Sequence, residues 1–189
     1  MFSELIQAMS RKRSEVVVNR IKHYINDSKR LIDIGSGTGD VTYLLKKLGK
    51  DIIPIDVADY HGPRLIETVI YDGKTLPYPD KHFDTALLLM VLHHTPNPKI
   101  VFAEAARVAK EIVLIETSFT TPVNKFFTVL SDALGNLRFE AFWSSYKSDN
   151  EWRKFISENG FGIIDSVKYQ DTNFGLPFLH IAYHLKKKH

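Results

Sequence analysis

The stretch Leu31-Ile32-Asp33-Ile34-Gly35-Ser36-Gly37-Thr38-Gly39-Asp40 decides the fold. A short aliphatic run enters three alternating glycines, and the chain then continues through Asp40 to Lys47 with Val41, Leu44, Leu45 and Leu48 at helical spacing. Strand, glycine-rich turn and helix together bring backbone N–H groups up against a ligand. Three glycines carry too large an entropy cost to serve as filler.

Working outward, Val17, Val18, Ile21 and Ile25 predict an amphipathic helix over Ser14 to Ile25. After the turn, Ile52 to Ile55 ending at Asp56, Ile66 to Tyr71 ending at Asp72, and Phe83 to Leu89 read as strands buried on two faces. Pro54 removes a ladder hydrogen bond from the first of these and points to a less central or bulged place. A helix over Lys99 to Val108 leads to a fifth strand, Glu111 to Glu116. Strands alternating with helices predict a parallel α/β sheet covered on both faces. Ligands of such sheets bind beyond the carboxyl ends of the strands, where Asp33, Asp56, Asp72 and the His93-His94 segment should meet.

From Ser118 to Lys147 the rhythm breaks into a connection rich in aromatics (Phe119, Phe126, Phe127, Phe139, Phe142, Trp143, Tyr146). It is expected to cover the strand ends, its rings packing the core of a covering helix or stacking on a flat acceptor. Asp149 to Asn159 reads as a helix stopped by Gly160, and Phe161 to Tyr169 with Phe178 to Leu185 as a closing strand pair joined around Asp171 to Gly175. With no repeat or linker, residues 1–189 are expected to form one domain, with an N-terminal helical segment (1–27) and a covering insertion (118–147).

Composition narrows the chemistry. The 189 residues include no cysteine, which removes disulfides, thiolate metal sites and cysteine nucleophiles. Hydrophobic content of 44% with 25% charged residues is that of an ordinary globular chain. The absence of a leader pattern and of a long apolar run leads us to expect a cytoplasmic protein without membrane spans. A net charge of +3 is concentrated in Arg11, Lys12 and Arg13 and in Lys186, Lys187 and Lys188, read as solvated ends; nucleic acid is disfavoured as a partner. No carboxylate stands at ligand spacing from His93 and His94, so no metal is expected. Oligomeric state is not readable.

The glycine turn itself argues against two ligands. A dinucleotide turn wants glycine at its sixth position, where Asp40 would face a pyrophosphate, and no Gly-Lys-Ser/Thr closes a triphosphate loop. Leu31 to Asp40 instead resembles the first motif of class I S-adenosylmethionine-dependent methyltransferases, in particular the small methyltransferase-11-like group. The resemblance continues through Asp56, Tyr71-Asp72-Gly73, Leu76-Pro77-Tyr78-Pro79, Phe83-Asp84, Leu92-His93-His94, Arg107-Val108 and Gly160-Phe161. It departs where Arg107 to Glu111 enters the fifth strand without the family's Pro-Gly-Gly turn.

The resemblance implies a Rossmann-like, mostly parallel seven-stranded sheet with an antiparallel last strand, and S-adenosylmethionine as cofactor. By matching position, Gly35 and Gly37 would let the turn approach the methionine portion, with Asp33 near its ammonium group. Asp56 would serve the ribose and Asp72 and Gly73 the adenine, with Ser36, Gly39, Val57 and Leu92 also expected to bind the cofactor. Methyl transfer is an in-line displacement that needs chiefly orientation, and where an acceptor must lose a proton, His93 or His94 is the base at hand. A small-molecule acceptor is expected, with protein or RNA acceptors, a non-catalytic cofactor-binding role and a nicotinamide-dependent oxidoreductase as alternatives. His180 and His184 share one strand face and read as either pocket-lining or packed.

Overall fold

The computed structural model describes residues 2–60, 66–135, 143–173 and 176–188. Its elements run α1 (Phe2–Ile21), β1 (Arg30–Ile34), α2 (Asp40–Lys47), β2 (Asp51–Asp56), β3 (Val69–Ile70), β4 (Phe83–Leu89), α3 (Pro98–Val108), β5 (Ala109–Ser118), α4 (Pro122–Gly135), α5 (Asp149–Glu158), β6 (Phe161–Asn173) and β7 (Leu176–Lys187). The seven strands form one sheet in the order β3-β2-β1-β4-β5-β7-β6. β1 pairs in parallel with β2 and β4, β2 pairs in parallel with β3, and β6 pairs antiparallel with β7. The α/β class and the mostly parallel sheet expected from the sequence are therefore present.

The chain divides into two compact units, Met1–Leu89 with Glu104–Val113, and Met90–Ala103 with Leu114–His189. In the first, Leu31, Ile32 and Ile34 of β1 are buried because parallel neighbours flank the strand and helices cover its faces. α1 supplies Val17, Val18 and Ile21 to that core. The helix starts well before Ser14 and stops at Ile21, earlier than the apolar spacing suggested. The turn that follows is held by the Lys50 ammonium, which donates to the carbonyls of Ile25 and Asn26 at 2.6 and 2.9 Å. In the second unit, Phe102 meets Phe155 and Phe161 edge-on, Trp152 meets Phe155 in the same way, and Ile181, Tyr183 and Leu185 of β7 complete the core. A capping box between Ser148 and Glu151 starts α5.

Several expectations need correction. Ile66 to Tyr71 is not a strand buried on both faces: only Val69 and Ile70 pair, and Ile70 is exposed. Leu48 is exposed, and Thr42 takes a buried place on α2. Phe126, Phe127 and Trp143 do not pack a core, since each stands about half exposed; among the described residues of that connection, Tyr146 is the fully buried aromatic. Phe139, Phe142 and the turn residue Gly175 lie outside the described residues. Pro54 sits opposite Asp33 of β1, outside the two-residue ladder to β3, so its missing N–H interrupts no pairing on that side. α3 passes into β5 with no intervening residue, as the missing Pro-Gly-Gly turn implied.

Candidate active site

The first unit gathers most of the predicted site at the carboxyl ends of β1 and β2. Gly35, Gly37 and Gly39 all have positive φ (74°, 55° and 73°), which side-chain-bearing residues rarely adopt. The Gly35 N–H donates to the Ile55 carbonyl at 2.8 Å, tying the turn to β2. Asp56 finishes the tie: one carboxylate oxygen accepts the Gly37 N–H at 2.8 Å and the other accepts the Val57 N–H at 2.7 Å. Where Gly37 would carry a side chain there is open space, while the corresponding spot at Gly39 is filled by Ile66. Asp40 opens α2 at its positive end and accepts from the Thr38 hydroxyl at 3.0 Å. The helix therefore carries its own anion, as expected for a ligand that brings no phosphate.

Asp33 is buried and accepts the Thr42 hydroxyl at 2.6 Å. Burial pushes its carboxyl up to about 6; the Thr42 hydrogen bond opposes this and the Asp56 charge adds to it. A nearby cation would relieve that strain. The Ser36 hydroxyl is buried with no hydrogen-bond partner. A desolvated hydroxyl left unanswered costs stability, so the turn is poised for a polar ligand.

The adjoining loop holds the second group of predicted residues. Asp72 is exposed, and one of its oxygens accepts the N–H groups of Lys74 and Thr75, both at 2.8 Å. Those bonds hold its carboxyl below the usual range. Gly73 turns with φ 73°, and a side chain there would press on Val57, whose own side chain is 53% exposed. Val57 and Gly73 thus form an apolar step beside two carboxylates. Tyr71 is pushed up to about 12 by burial and by the charges of Asp56, Asp72 and Glu104. Glu104 in turn grips Arg107, whose guanidinium also donates to the carbonyls of Leu76 and Tyr78, so the Leu76-Pro77-Tyr78 motif is a stitched loop.

The second unit places Leu92, His93 and His94 on one turn after Met90, a non-glycine residue with φ 61°. Leu92 and His93 are buried, while His94 is exposed. His93 Nδ1 lies 2.5 Å from Glu116 of β5, and the other Glu116 oxygen accepts the N–H groups of Leu92 and Val91 at 2.7 and 3.2 Å. His180 is buried, within 3.3 Å of the Thr117 hydroxyl and against the rings of Tyr169 and Phe178. It is a packed residue, and His184 is half-buried. No group of three or more metal-ligating side chains occurs among the described residues.

Sequence reading missed Thr42 and Glu116. The signal for Glu116 was available, because it ends the apolar run Ile112 to Ile115 just as Asp56 ends Ile52 to Ile55. Thr42 left none beyond a polar residue near an apolar helix face.

The fold and this turn define a class, and the comparisons agree with it. Residues 32–112 match the family described as Methyltransferase domain. Among solved structures, a SAM-dependent methyltransferase from Methanosarcina mazei superposes with a TM-score of 0.69 at 17% identity, over 88% of this chain and 96% of its own. A putative methyltransferase from Bacillus halodurans gives 0.66 at 16% identity, over 85% and 93%. The chain has the class I methyltransferase fold, and its residues 32–112 match the methyltransferase-domain family.

Curated relatives point in the same direction. The ubiquinone/menaquinone biosynthesis C-methyltransferase UbiE of Pseudomonas savastanoi is 24% identical over 153 residues, covering 71% of this chain. The match spans 59% of that relative's length. The protein of the same name from Rickettsia akari is 24% identical over 199 residues, covering 86% of this chain and 79% of its own.

Proposed function

We propose that this chain is a methyltransferase using S-adenosylmethionine and acting, as one domain, on a small molecule that loses a proton as it gains the methyl group. A hydroxylated aromatic ring is the acceptor class favoured by the likeness to quinone C-methyltransferases. The observation that carries the cofactor reading is the glycine turn, where an unanswered buried Ser36 hydroxyl, open space at Gly37 and a strained Asp33 carboxyl lie on one loop and its strand. Those donors and acceptors fit the amino-acid end of the cofactor. Asp33 would face its ammonium, and Asp56 the ribose hydroxyls. Val57 and Gly73 would take the adenine ring, with Asp72 at its amino group.

Bound on the glycine turn, the cofactor would supply an electrophilic methyl to the acceptor's electron pair, the S–CH3 bonding pair would stay on sulfur, and the acceptor's proton would pass to a base of this chain. His93 is the base we assign, because its ring is anchored at Nδ1 by Glu116.

Calorimetric titration with S-adenosylmethionine and S-adenosylhomocysteine tests the cofactor, and methyl-labelled cofactor with 1,4-dihydroxynaphthalene tests the acceptor class. Asp56→Ala should weaken cofactor binding by about 1–3 kcal/mol, the scale for leaving hydroxyls unpaired. A folded protein that binds neither compound would overturn the reading.

A further inference from the structure

Glu116 has no part in the cofactor reading, yet both of its oxygens are engaged by one short segment of the second unit. It is fully buried near the end of β5. One oxygen, Oε1, accepts the N–H groups of Val91 and Leu92, and the other, Oε2, faces His93 Nδ1. Just before these two N–H groups, Met90 holds a left-handed backbone at φ 61°, anchored by its own N–H to the Ile115 carbonyl at 2.7 Å. Such a conformation is costly for a residue with a side chain and persists only where neighbouring contacts over-determine it. A histidine turn built on strain and clamped from the next strand is an expensive way to bury an imidazole.

We propose that Glu116 is the positioning residue of His93: by accepting the Nδ1 proton it fixes the tautomer whose lone pair lies on Nε2, the atom that takes the acceptor's proton. This rests on the function proposed above. With Oε1 committed to two backbone donors, Oε2 is the carboxylate's remaining acceptor, and Nδ1 meets it as a donor. Nε2 then has to be the basic nitrogen, and the carboxylate stabilises the imidazolium that forms once the proton arrives. The rings of His94 and Tyr146 stand 4.1 and 4.8 Å from the His93 ring, centroid to centroid, and limit its rotation. The Lys147 ammonium and the Tyr183 phenol feel the Glu116 charge from the other elements around it.

An isosteric change separates positioning from packing. In Glu116→Gln, the amide oxygen is still required by Val91 and Leu92, so the NH2 group must face Nδ1. Nδ1 then becomes an acceptor, and the ring proton moves to Nε2. The test is nitrogen-15 NMR of histidine-labelled, cofactor-free protein at pH 8, for the wild type and for E116Q. The proposal expects His93 protonated at Nδ1 in the wild type and at Nε2 in the variant. It also expects kcat with 1,4-dihydroxynaphthalene to fall about 100-fold, the usual scale for losing a general base, while the Kd for S-adenosylmethionine stays within about twofold. A wild-type His93 protonated at Nε2, or one tautomer shared by both proteins, overturns the proposal. If E116Q fails to fold, the wild-type spectrum decides alone. A wild type with the expected tautomer that methylates no aromatic diol overturns the functional reading and leaves the role of Glu116 in holding His93 standing.

Discussion

Two aspartates at opposite edges of the same sheet in the first unit show how differently a carboxylate can be used. Asp84, at the amino edge, accepts the N–H groups of Lys29 and Arg30, both at 3.0 Å, and the Lys110 ammonium at 2.8 Å. The Lys110 hydrogen bond and the two backbone donors, acting against burial, bring its carboxyl down to about 2. Asp33, at the carboxyl edge, is more deeply buried, has the Thr42 hydroxyl as its hydrogen-bond donor, and is pushed up to about 6. One edge is electrostatically complete, and the other holds a buried acid that a cation would relieve. That asymmetry fits the proposal that the amino edge is architecture and the carboxyl edge receives the ligand.

The largest expected effect comes from removing the strain. Keeping Asp33 charged at pH 7 costs the fold about 3 kcal/mol, at about 1.4 kcal/mol per tenfold change in proton affinity. Asp33→Asn should therefore stabilise the cofactor-free protein at pH 8, by at most that amount, while weakening S-adenosylmethionine binding by about 2 kcal/mol or more. The sign with pH follows from the raised value. Between about 4 and 6 the folded state holds a proton that the unfolded state has lost, so wild-type stability falls as pH rises through this window and is level above it. The gap between variant and wild type should accordingly be widest above pH 6 and close below pH 4 in urea unfolding. An equal gap at both ends would show that Asp33 carries no strain.

Asp84→Ala should act in the opposite sense. Losing acceptors for two backbone N–H groups and one ammonium should destabilise the fold by about 1–3 kcal/mol. Because the folded value is depressed, the loss should be fully present above pH 4 and fade as pH falls towards 2. Cofactor affinity, measured on the folded fraction, should not change. A matching drop in affinity would mean that the amino edge is not independent of the ligand edge.

The same contrast explains what could be read from the sequence. β1, its glycine turn and β4 were legible because aliphatic runs buried on both faces and positive-φ glycines are local signals, written within about ten residues. Asp56 was legible for the same reason, as an acid closing such a run. Glu116 closes one too, but its meaning depends on His93, and that pairing exists only once β5 and the turn after β4 are in register. The run Ile66 to Tyr71 misled because apolar content does not reveal whether a partner strand is present, and here two residues find one. The aromatics of the connection misled in the opposite way: Phe126, Phe127 and Trp143 look like core residues by composition, yet they stay largely in solvent, whereas Tyr146 is buried against His93.

The smallest effect belongs to Asp72, where turn and ligand compete for one side chain. Its Oδ1 already accepts the N–H groups of Lys74 and Thr75, so Asp72→Ala would disturb the loop and confuse the two roles. Asp72→Asn separates them. The amide oxygen takes over the two backbone donors, keeping the turn, while the NH2 group replaces the oxygen that would accept from the adenine amino group and sets donor against donor. Thermal stability should hold, and S-adenosylmethionine should bind about three- to tenfold more weakly, the value of one exposed hydrogen bond. Sinefungin, which keeps the adenine, should lose affinity in parallel, whereas methionine, which lacks it, should bind variant and wild type alike. An unchanged affinity for S-adenosylmethionine would reduce Asp72 to a turn residue and move the adenine's partner to the backbone around Gly73.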